Sequence, residues 1–297
     1  MNLTPANPLA ANPASPALSP GTQVLAACRA EGRAALIGYL PVGFPSVEVS
    51  IEAMVAMVRA GADIIEVGIP YSDPLMDGPL IQRATEAALE GGSRVDDVFT
   101  AVRAIADAGA AAYVMTYWNL VLKRGVERFA ADLAAAGGSG LITPDLIPDE
   151  AGEWLTASDA LGLDRVFLVA PSSTPERLTV ATGACRGFVY AASTMGVTGV
   201  RSSVPGMAGE VLSTGTRETV GSAAQDVVRR TREVTDVPVC VGLGVSTRAQ
   251  AADVAGFADG VIVGSALVRA LGEGGIPAME ALTRELAVVR RNQSALC

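Results

Sequence analysis

The sequence predicts an α/β protein, a single-domain (β/α)8 TIM barrel with short extra helices. From about Ala34 onward, short apolar runs alternate with amphipathic stretches of helical period, which is the pattern of a parallel sheet covered by helices. Eight strand–helix units fit in the 297 residues, and a barrel commonly forms one domain of about 250 residues. Because periodicity alone does not show whether a sheet closes, a doubly wound open sheet is the alternative fold.

The candidate strands are short, and several are apolar throughout, as expected of strands covered on both faces. They are Ala34–Leu40, Asp63–Gly68, Ala111–Met115, Gly140–Thr143, Arg165–Val169, Gly187–Ala191, Val237–Val241 and Gly260–Val263. Helices predicted between them include Val47–Arg59, Val95–Ala108, Val126–Ala136, Pro175–Ala181, Glu218–Val234 and Arg248–Val254. Thr174 before Pro175 predicts an N-cap followed by proline at the first helical position.

The first 22 residues differ from the rest of the chain. They carry no charged side chain and five of the 17 prolines, so we expect a disordered tail over 1–22 and the barrel over 23–297. The tail lacks the basic region and unbroken apolar run of a signal peptide. No stretch approaches 18 apolar residues, so no membrane span is expected.

Composition excludes several classes of function. A net charge of −9 and a pI of about 4.7 argue against a nucleic-acid-binding protein. The chain has no histidine, which excludes a histidine-based catalytic triad and imidazole metal sites, and we expect no metal. The four cysteines, at positions 28, 185, 240 and 297, are far apart and form no CxxC motif. They favour a reduced, cytoplasmic protein.

Two carboxylates mark the loop after the second strand. Glu66 interrupts the apolar run Ile64–Val67, so its side chain should point into the barrel or its mouth, where a carboxylate is costly unless it is paired or functional. The loop that follows is rich in Pro, Gly and Asp and includes Asp77. Active sites of barrels lie in the loops at the carboxyl ends of the strands, so these residues are candidates for catalysis.

Glycine-bearing loops follow the last two strands. Gly242 and Gly244 follow the seventh strand, and Gly264 and Ser265 follow the eighth, where a short helix is expected to begin. In many barrels these two loops bind phosphate, because glycine lets the backbone approach the anion and the helix N-terminus directs N–H groups at it. The pattern predicts a phosphate site and is shared by many phosphate-binding barrels.

The 14 residues from Glu66 to Pro79 read E-V-G-I-P-Y-S-D-P-L-M-D-G-P and resemble the motif of the tryptophan synthase α-subunit family. The resemblance implies a retro-aldol lyase that cleaves indole-3-glycerol phosphate to indole and glyceraldehyde-3-phosphate. It implies that Glu66 is the general acid–base and Asp77 the second catalytic carboxylate. It also makes Asp73 a loop-ordering or interface residue.

Three further segments resemble the same family. Tyr39 in Y-L-P-V-G-F-P replaces the family's usual Phe, which flanks the indole. The segment M-T-Y-W-N implies that Tyr117 lies near the indole and Asn119 near a partner subunit. The segment around 190–199 resembles the sixth strand and mobile loop. It implies that Tyr190 lies beside the substrate, that Thr198 is a lid residue and that Gly199 contributes to the phosphate site. The long stretch Val200–Thr216 is predicted to be a lid or disordered.

The resemblance also implies a partner. We expect a β-subunit that takes the indole, in an α2β2 heterotetramer, with pyridoxal phosphate only in that partner and no cofactor in this chain. A stand-alone lyase of the same family keeps the same carboxylates and is the alternative. Another phosphate-sugar barrel, such as an isomerase, shares the glycine loops but does not account for 66–79. A non-catalytic regulator is disfavoured because both carboxylates are intact.

Overall fold

The computed structural model describes residues 18–192, 217–242 and 244–287. Within them, nine parallel strands form one sheet in the order β5-β4-β3-β2-β1-β9-β8-β7-β6. The strands are β1 (Ala35–Pro41), β2 (Ile64–Gly68), β3 (Ala111–Met115), β4 (Gly140–Ile142), β5 (Asp164–Val166), β6 (Leu168–Val169), β7 (Val189–Ala192), β8 (Val239–Gly242) and β9 (Gly260–Val263).

The sheet closes at the fifth predicted strand, which is interrupted at Phe167 into β5 and β6. β5 pairs with β4, whereas β6 pairs with β7, so one continuous segment joins both edges of the sheet. The Tyr190 N–H also donates to the Phe167 carbonyl at 3.1 Å. The result is a closed barrel, and the alternative of a doubly wound open sheet is wrong.

Eleven α-helices lie in the described part of the chain. They are α1 (Pro20–Ala30), α2 (Val47–Arg59), α3 (Pro79–Glu90), α4 (Asp97–Asp107), α5 (Trp118–Arg124), α6 (Val126–Ala135), α7 (Gly152–Leu161), α8 (Pro175–Ala184), α9 (Arg217–Arg232), α10 (Arg248–Ala255) and α11 (Ser265–Leu286). The predicted α2 matches residue for residue, and Thr174 caps α8 by accepting from the Arg177 N–H at 3.3 Å.

Two expectations about helices need correction. The helix after β9 is not short but runs to Leu286, with a break at Gly275, whose φ is 67°. Residues 20–22, which the sequence assigned to the tail, form the first turn of α1, with Ser19 as its N-cap. Residues 1–17 of that predicted tail lie outside the described residues.

Alternate residues of each strand fill the interior of the barrel, as the period of two requires. Leu25 and Cys28 of α1 pack into the same cluster and close the end at which the strands begin. The residues of this interior cluster that lie in the strands or directly before one are Ala35, Ile37, Ile64, Ala111, Tyr113, Ile142, Val166, Phe188, Tyr190, Cys240 and Ile262. The opposite end, where the strands finish, is left for the loops.

A buried carboxylate attaches α1 to the barrel. Asp164, at the start of β5, accepts hydrogen bonds from Ser19, from Thr22 at 3.2 Å and from the Tyr113 hydroxyl at 2.7 Å. The Arg186 guanidinium lies 3.6 Å from its other oxygen. Burial of this carboxyl raises its pKa, and the three hydroxyls and Arg186 oppose the rise. A fully buried Asp with this many partners is a structural anchor, and it lies at the end of the barrel where the strands begin.

Candidate active site

Glu66 lies inside the barrel near its open end. It belongs to β2 and lies two residues after Ile64, so its side chain points to the same side of the strand, the interior of the barrel. The residue is only 1% exposed. Its Oε2 atom has no hydrogen-bond partner among the described residues. Burial, and after it the charge of Asp77, raises the pKa of Glu66 to about 8. The prediction that this side chain points inward is therefore confirmed, and at neutral pH it holds a proton.

Asp77 faces the same space from the loop that precedes α3. Its Oδ2 accepts a hydrogen bond from the Tyr117 hydroxyl at 3.4 Å, and its carbonyl accepts from the Gln82 side-chain amide at 2.9 Å. Burial raises the pKa of Asp77 to about 6, and the Tyr117 hydroxyl acts in the opposite direction. Burial thus raises the pKa of Glu66 further than that of Asp77, so Asp77 ionises at the lower pH.

Tyr39 and Tyr190 close two sides of this space. A Cβ placed on Gly68 would lie 2.5 Å from the Tyr39 hydroxyl, and one on Gly242 would lie 2.4 Å from the Tyr190 hydroxyl. Both phenols have raised pKa values, first through burial and then through the charges of the two carboxylates. The tyrosines expected beside the substrate therefore surround the acid pair, and glycine is required where their rings lie against the strand ends.

The described residues predicted to bind phosphate, Gly242, Gly244, Gly264 and Ser265, end or follow the neighbouring strands β8 and β9. Gly264 follows β9 and is the N-cap of α11, and Ser265 is the first residue of that helix, so the N-terminus of α11 lies directly after the carboxyl end of β9. Gly244 has φ of +60°, a conformation that L side chains rarely adopt. A Cβ on Gly264 would lie 3.3 Å from Tyr39 Cδ1, so the N-terminus of α11 lies beside the Tyr39 ring. Thr198 and Gly199 lie outside the described residues.

The predicted interface residues lie on the rim. Asp73 is exposed and accepts from the Ser72 hydroxyl at 2.6 Å. Asn119 is exposed as well, and its side-chain amide lies 3.5 Å from the Tyr71 hydroxyl. Beside them, Leu75 is 81% exposed and Leu122 52% exposed. Leu75 lies two residues after Asp73 in the chain, and Leu122 lies three residues after Asn119.

Tyr71 was not among the site residues predicted from the sequence. Its ring stacks on Tyr117 with the ring centroids 4.9 Å apart, and the Met76 N–H donates to the Tyr117 hydroxyl at 3.0 Å. The only signal in the sequence was an aromatic residue within the motif. Its partner comes from a different strand end, so sequence reasoning could not pair them.

Two further properties concern the described residues as a whole. Within them, no three acidic or cysteine side chains gather as ligands of a metal would. None of the helices described is both long enough and apolar enough to cross a membrane. Three cysteines of the described residues, Cys28, Cys185 and Cys240, are buried and form no disulfide bond.

Comparisons with known proteins agree with this geometry. The family model "Tryptophan synthase alpha chain" matches residues 25–213 and 206–296. The tryptophan synthase alpha chain of Mycobacterium avium is 62% identical over 92% of this chain and 94% of its own length. A structure of Mycobacterium tuberculosis tryptophan synthase superposes with a TM-score of 0.84 at 61% identity, covering 93% of this chain and all of that chain. The Legionella pneumophila tryptophan synthase subunit alpha gives a TM-score of 0.78 at 29% identity, covering 91% and 98%. The chain therefore belongs to the tryptophan synthase α-chain family of (β/α)8-barrel lyases, which cleave indole-3-glycerol phosphate.

Proposed function

We propose that Glu66 and Asp77 carry out the retro-aldol cleavage of indole-3-glycerol phosphate in this chain, without a cofactor of its own. The observation that carries the proposal is that two carboxyl groups, Glu66 and Asp77, face one space at the barrel mouth and that burial raises the pKa of Glu66 further than that of Asp77. Tyrosine rings line the space around them, and the N-terminus of α11 opens toward the strand ends. An aromatic leaving group, an acid–base pair and a phosphate anchor are what this substrate needs.

Glu66 supplies the proton transfers. Cleavage of the bond between the glycerol side chain and indole C3 requires a proton on C3, so that the ring can leave. It also requires loss of the proton of the side-chain hydroxyl, which becomes the aldehyde. A carboxyl that is protonated at pH 7 and has an oxygen without a hydrogen-bond partner is suited to deliver the first proton and then accept the second.

Asp77 stabilises the charge that this protonation creates. A proton on C3 makes the indole ring cationic, and the ring N–H becomes a stronger donor. An ionised carboxylate opposite that N–H is favoured in the transition state over the ground state, which is how electrostatic catalysis lowers a barrier. Tyr117 fits this role for Asp77, because its hydroxyl donates to the carboxylate and favours the ionised form.

The phosphate group is held by backbone rather than by basic side chains. The residues we propose for it are Gly242, Gly244, Gly264 and Ser265, with Gly199 from the loop outside the described residues. The N-terminus of α11 supplies N–H donors and a partial positive charge. Such a site suits a chain whose net charge is −9.

A β-subunit is the partner we propose for the rim, in an α2β2 assembly whose pyridoxal phosphate resides in the β-subunit. Asp73 and Asn119 supply polar contacts, and Leu75 and Leu122 an apolar centre, which together have the composition of a protein interface. Asp73 lies on the loop of Asp77, so a partner bound there would bias the catalytic loop. We infer a cytoplasmic location, the compartment that cysteines without disulfide bonds favour.

Incubation of the purified chain with indole-3-glycerol phosphate tests the proposal, with released indole as the measurement. Asp77→Asn should keep the fold and lower kcat strongly while KM changes less, because the amide accepts a hydrogen bond but carries no charge. An intact kcat with a raised KM would contradict the role of Asp77. A phosphate-sugar isomerase would release no indole.

Titration with the β-subunit separates the two lyase hypotheses. We expect the rate of indole release to rise with β-subunit concentration, and Thr198→Val to blunt the rise if Thr198 is the lid residue. A rate that does not respond to the partner would favour the stand-alone lyase.

A further inference from the structure

Four groups form a continuous contact path from the rim to the catalytic aspartate. The Asn119 side-chain amide lies 3.5 Å from the Tyr71 hydroxyl. The Tyr71 ring stacks on the Tyr117 ring at 4.9 Å, with 29° between the ring planes. The Tyr117 hydroxyl donates to Asp77 Oδ2 at 3.4 Å. Of these four, only Asp77 is assigned to the chemistry of the reaction.

The hydroxyl of Tyr117 has two partners on the loop that bears Tyr71. It donates to Asp77 and accepts from the Met76 N–H at 3.0 Å. Both partners precede α3, whereas Tyr117 itself follows β3 and caps α5 without a side-chain hydrogen bond. The Tyr117 side chain is therefore the bridge between the loops after β2 and after β3.

That bridge depends on the rotamer of Tyr117. Its ring is only half-buried, so burial alone does not fix its orientation. A hydrogen bond of 3.4 Å is already near the long limit, and a small rotation of the ring would break it. The stacked Tyr71 ring covers one face of Tyr117, and aromatic pairs at this spacing attract each other beyond the area that they bury.

We propose that Tyr71 is a positioning residue of this site: its ring holds Tyr117 in the orientation in which the Tyr117 hydroxyl donates to the catalytic Asp77. The expected effect of Tyr71 on turnover rests on the proposed function. The orientation of the Tyr117 ring by Tyr71 rests only on the contacts between these residues.

Four variants of the isolated chain test the inference, since without a partner no interface effect can enter. Tyr71→Leu removes the stacking ring but keeps apolar bulk. Tyr71→Phe is the matched control, because it keeps the ring and deletes only the hydroxyl near Asn119. Tyr117→Phe deletes the hydrogen bond to Asp77 directly. The double variant Tyr71→Leu/Tyr117→Phe shows whether the two residues act through the same bond.

The rate of indole release should fall by a similar factor in Tyr71→Leu and in Tyr117→Phe. We expect kcat to fall about tenfold in each, which corresponds to one charge-assisted hydrogen bond of modest strength, with KM changing less than about threefold. The double variant should be no slower than Tyr117→Phe alone, and Tyr71→Phe should stay close to the wild type. Independent, multiplying losses in the double variant would overturn the inference.

The pKa of Asp77 gives a readout that a merely structural role would not move. The Tyr117 hydroxyl lowers this pKa, so Tyr71→Leu should raise it and shift the acidic limb of the rate profile to higher pH. Glu66, Tyr39 and Tyr190 also face Asp77, and they are unchanged in every variant. The titration of the Asp77 carboxyl carbon by NMR, assigned with Asp77→Asn, measures the shift without substrate.

These two measurements also separate the inference from the proposed function. A wild-type chain that releases no indole would contradict the function, and the NMR titration would still decide the role of Tyr71. A Tyr71→Leu variant that folds, keeps the wild-type pKa of Asp77 and keeps the wild-type acidic limb would refute the positioning role.

Discussion

Glu66→Gln should lower turnover by at least about 100-fold, and its unfolding free energy relative to the wild type should increase with pH. The reason is that the carboxyl that we propose for the chemistry is buried, and burial disfavours its ionised form. The side chain is 1% exposed, and burial raises its pKa from 4.5 to about 8. For a raised pKa, the group's contribution to stability is fully present below the unfolded value of 4.5. It is lost as the pH rises toward 8. A glutamine does not titrate, so the variant escapes that loss.

The magnitude follows from the two pKa values. The unfolded chain releases the Glu66 proton above pH 4.5 and the folded chain retains it. The loss in the wild type is therefore about 1 kcal/mol at pH 5 and about 3 kcal/mol at pH 7, as an upper bound. The glutamine N–H groups need partners of their own, at a cost of about 1–3 kcal/mol that does not change with pH. The difference in unfolding free energy between variant and wild type should thus grow by roughly 2 kcal/mol from pH 5 to pH 7.

Urea unfolding at pH 5, 6 and 7 measures this difference, and release of indole measures activity. We expect turnover to fall by at least about 100-fold. Asp77→Asn is the matched control. The pKa of Asp77 rises only to about 6. Most of the increase in the unfolding free energy of Asp77→Asn over the wild type should therefore be reached by pH 6. A Glu66→Gln advantage that is the same at pH 5 and pH 7 would show that Glu66 is not held protonated. Near-normal turnover of the folded variant would refute its role as acid–base.

Three further predictions follow from the same contacts. The kcat/KM profile of the free enzyme should be bell-shaped, because Asp77 must be ionised above about 6 and Glu66 protonated below about 8; it should fall to roughly a tenth at pH 5 and pH 9, and a flat profile would contradict the assignment. Ser265→Ala should weaken binding of glyceraldehyde-3-phosphate about three- to tenfold and leave the binding of free indole unaffected. Gly264→Val should weaken the binding of both ligands, because the valine side chain would contact Tyr39. Calorimetric titration of each variant with each ligand distinguishes the two outcomes. Asp164→Asn should lower the unfolding free energy by about 2–4 kcal/mol and speed amide hydrogen exchange in α1 more than in the strands; uniform acceleration would argue against an anchor specific to α1.

The sequence by itself determined the fold class and identified the two candidate catalytic carboxylates. Strand and helix periods are local properties, so the alternation from Ala34 onward predicted the barrel, and the bounds of α2 agree residue for residue. Glu66 was identified because a single charged residue in an apolar run has to face the interior or the mouth of a barrel. The motif from Glu66 to Pro79 then carried the family, and the comparisons confirm it.

Other features were decided only by the tertiary structure, because they join residues that are far apart in the chain. The interruption of the strand at Phe167 closes the barrel, and it depends on pairing with both β4 and β7. The first turn of α1 reads as tail in sequence. It becomes helix because Ser19 and Thr22 donate to Asp164, more than 140 residues later. A sequence gives no distance between such groups, so these contacts could not be foreseen.

The pKa values of the two carboxyl groups were also decided only by the tertiary structure. The resemblance of the sequence implied that Glu66 is the general acid–base and Asp77 the second carboxylate, but the sequence supplied no physical reason why the pKa of Glu66 should be the higher of the two. That difference depends on burial: Glu66 is enclosed by the barrel, whereas Asp77 lies on a loop and receives the Tyr117 hydroxyl. The position of Tyr117 in turn depends on a ring six residues before Asp77 that no pattern in the sequence had paired with it. Desolvation and hydrogen bonding are properties of the folded environment, and they assign the two carboxyl groups their separate roles.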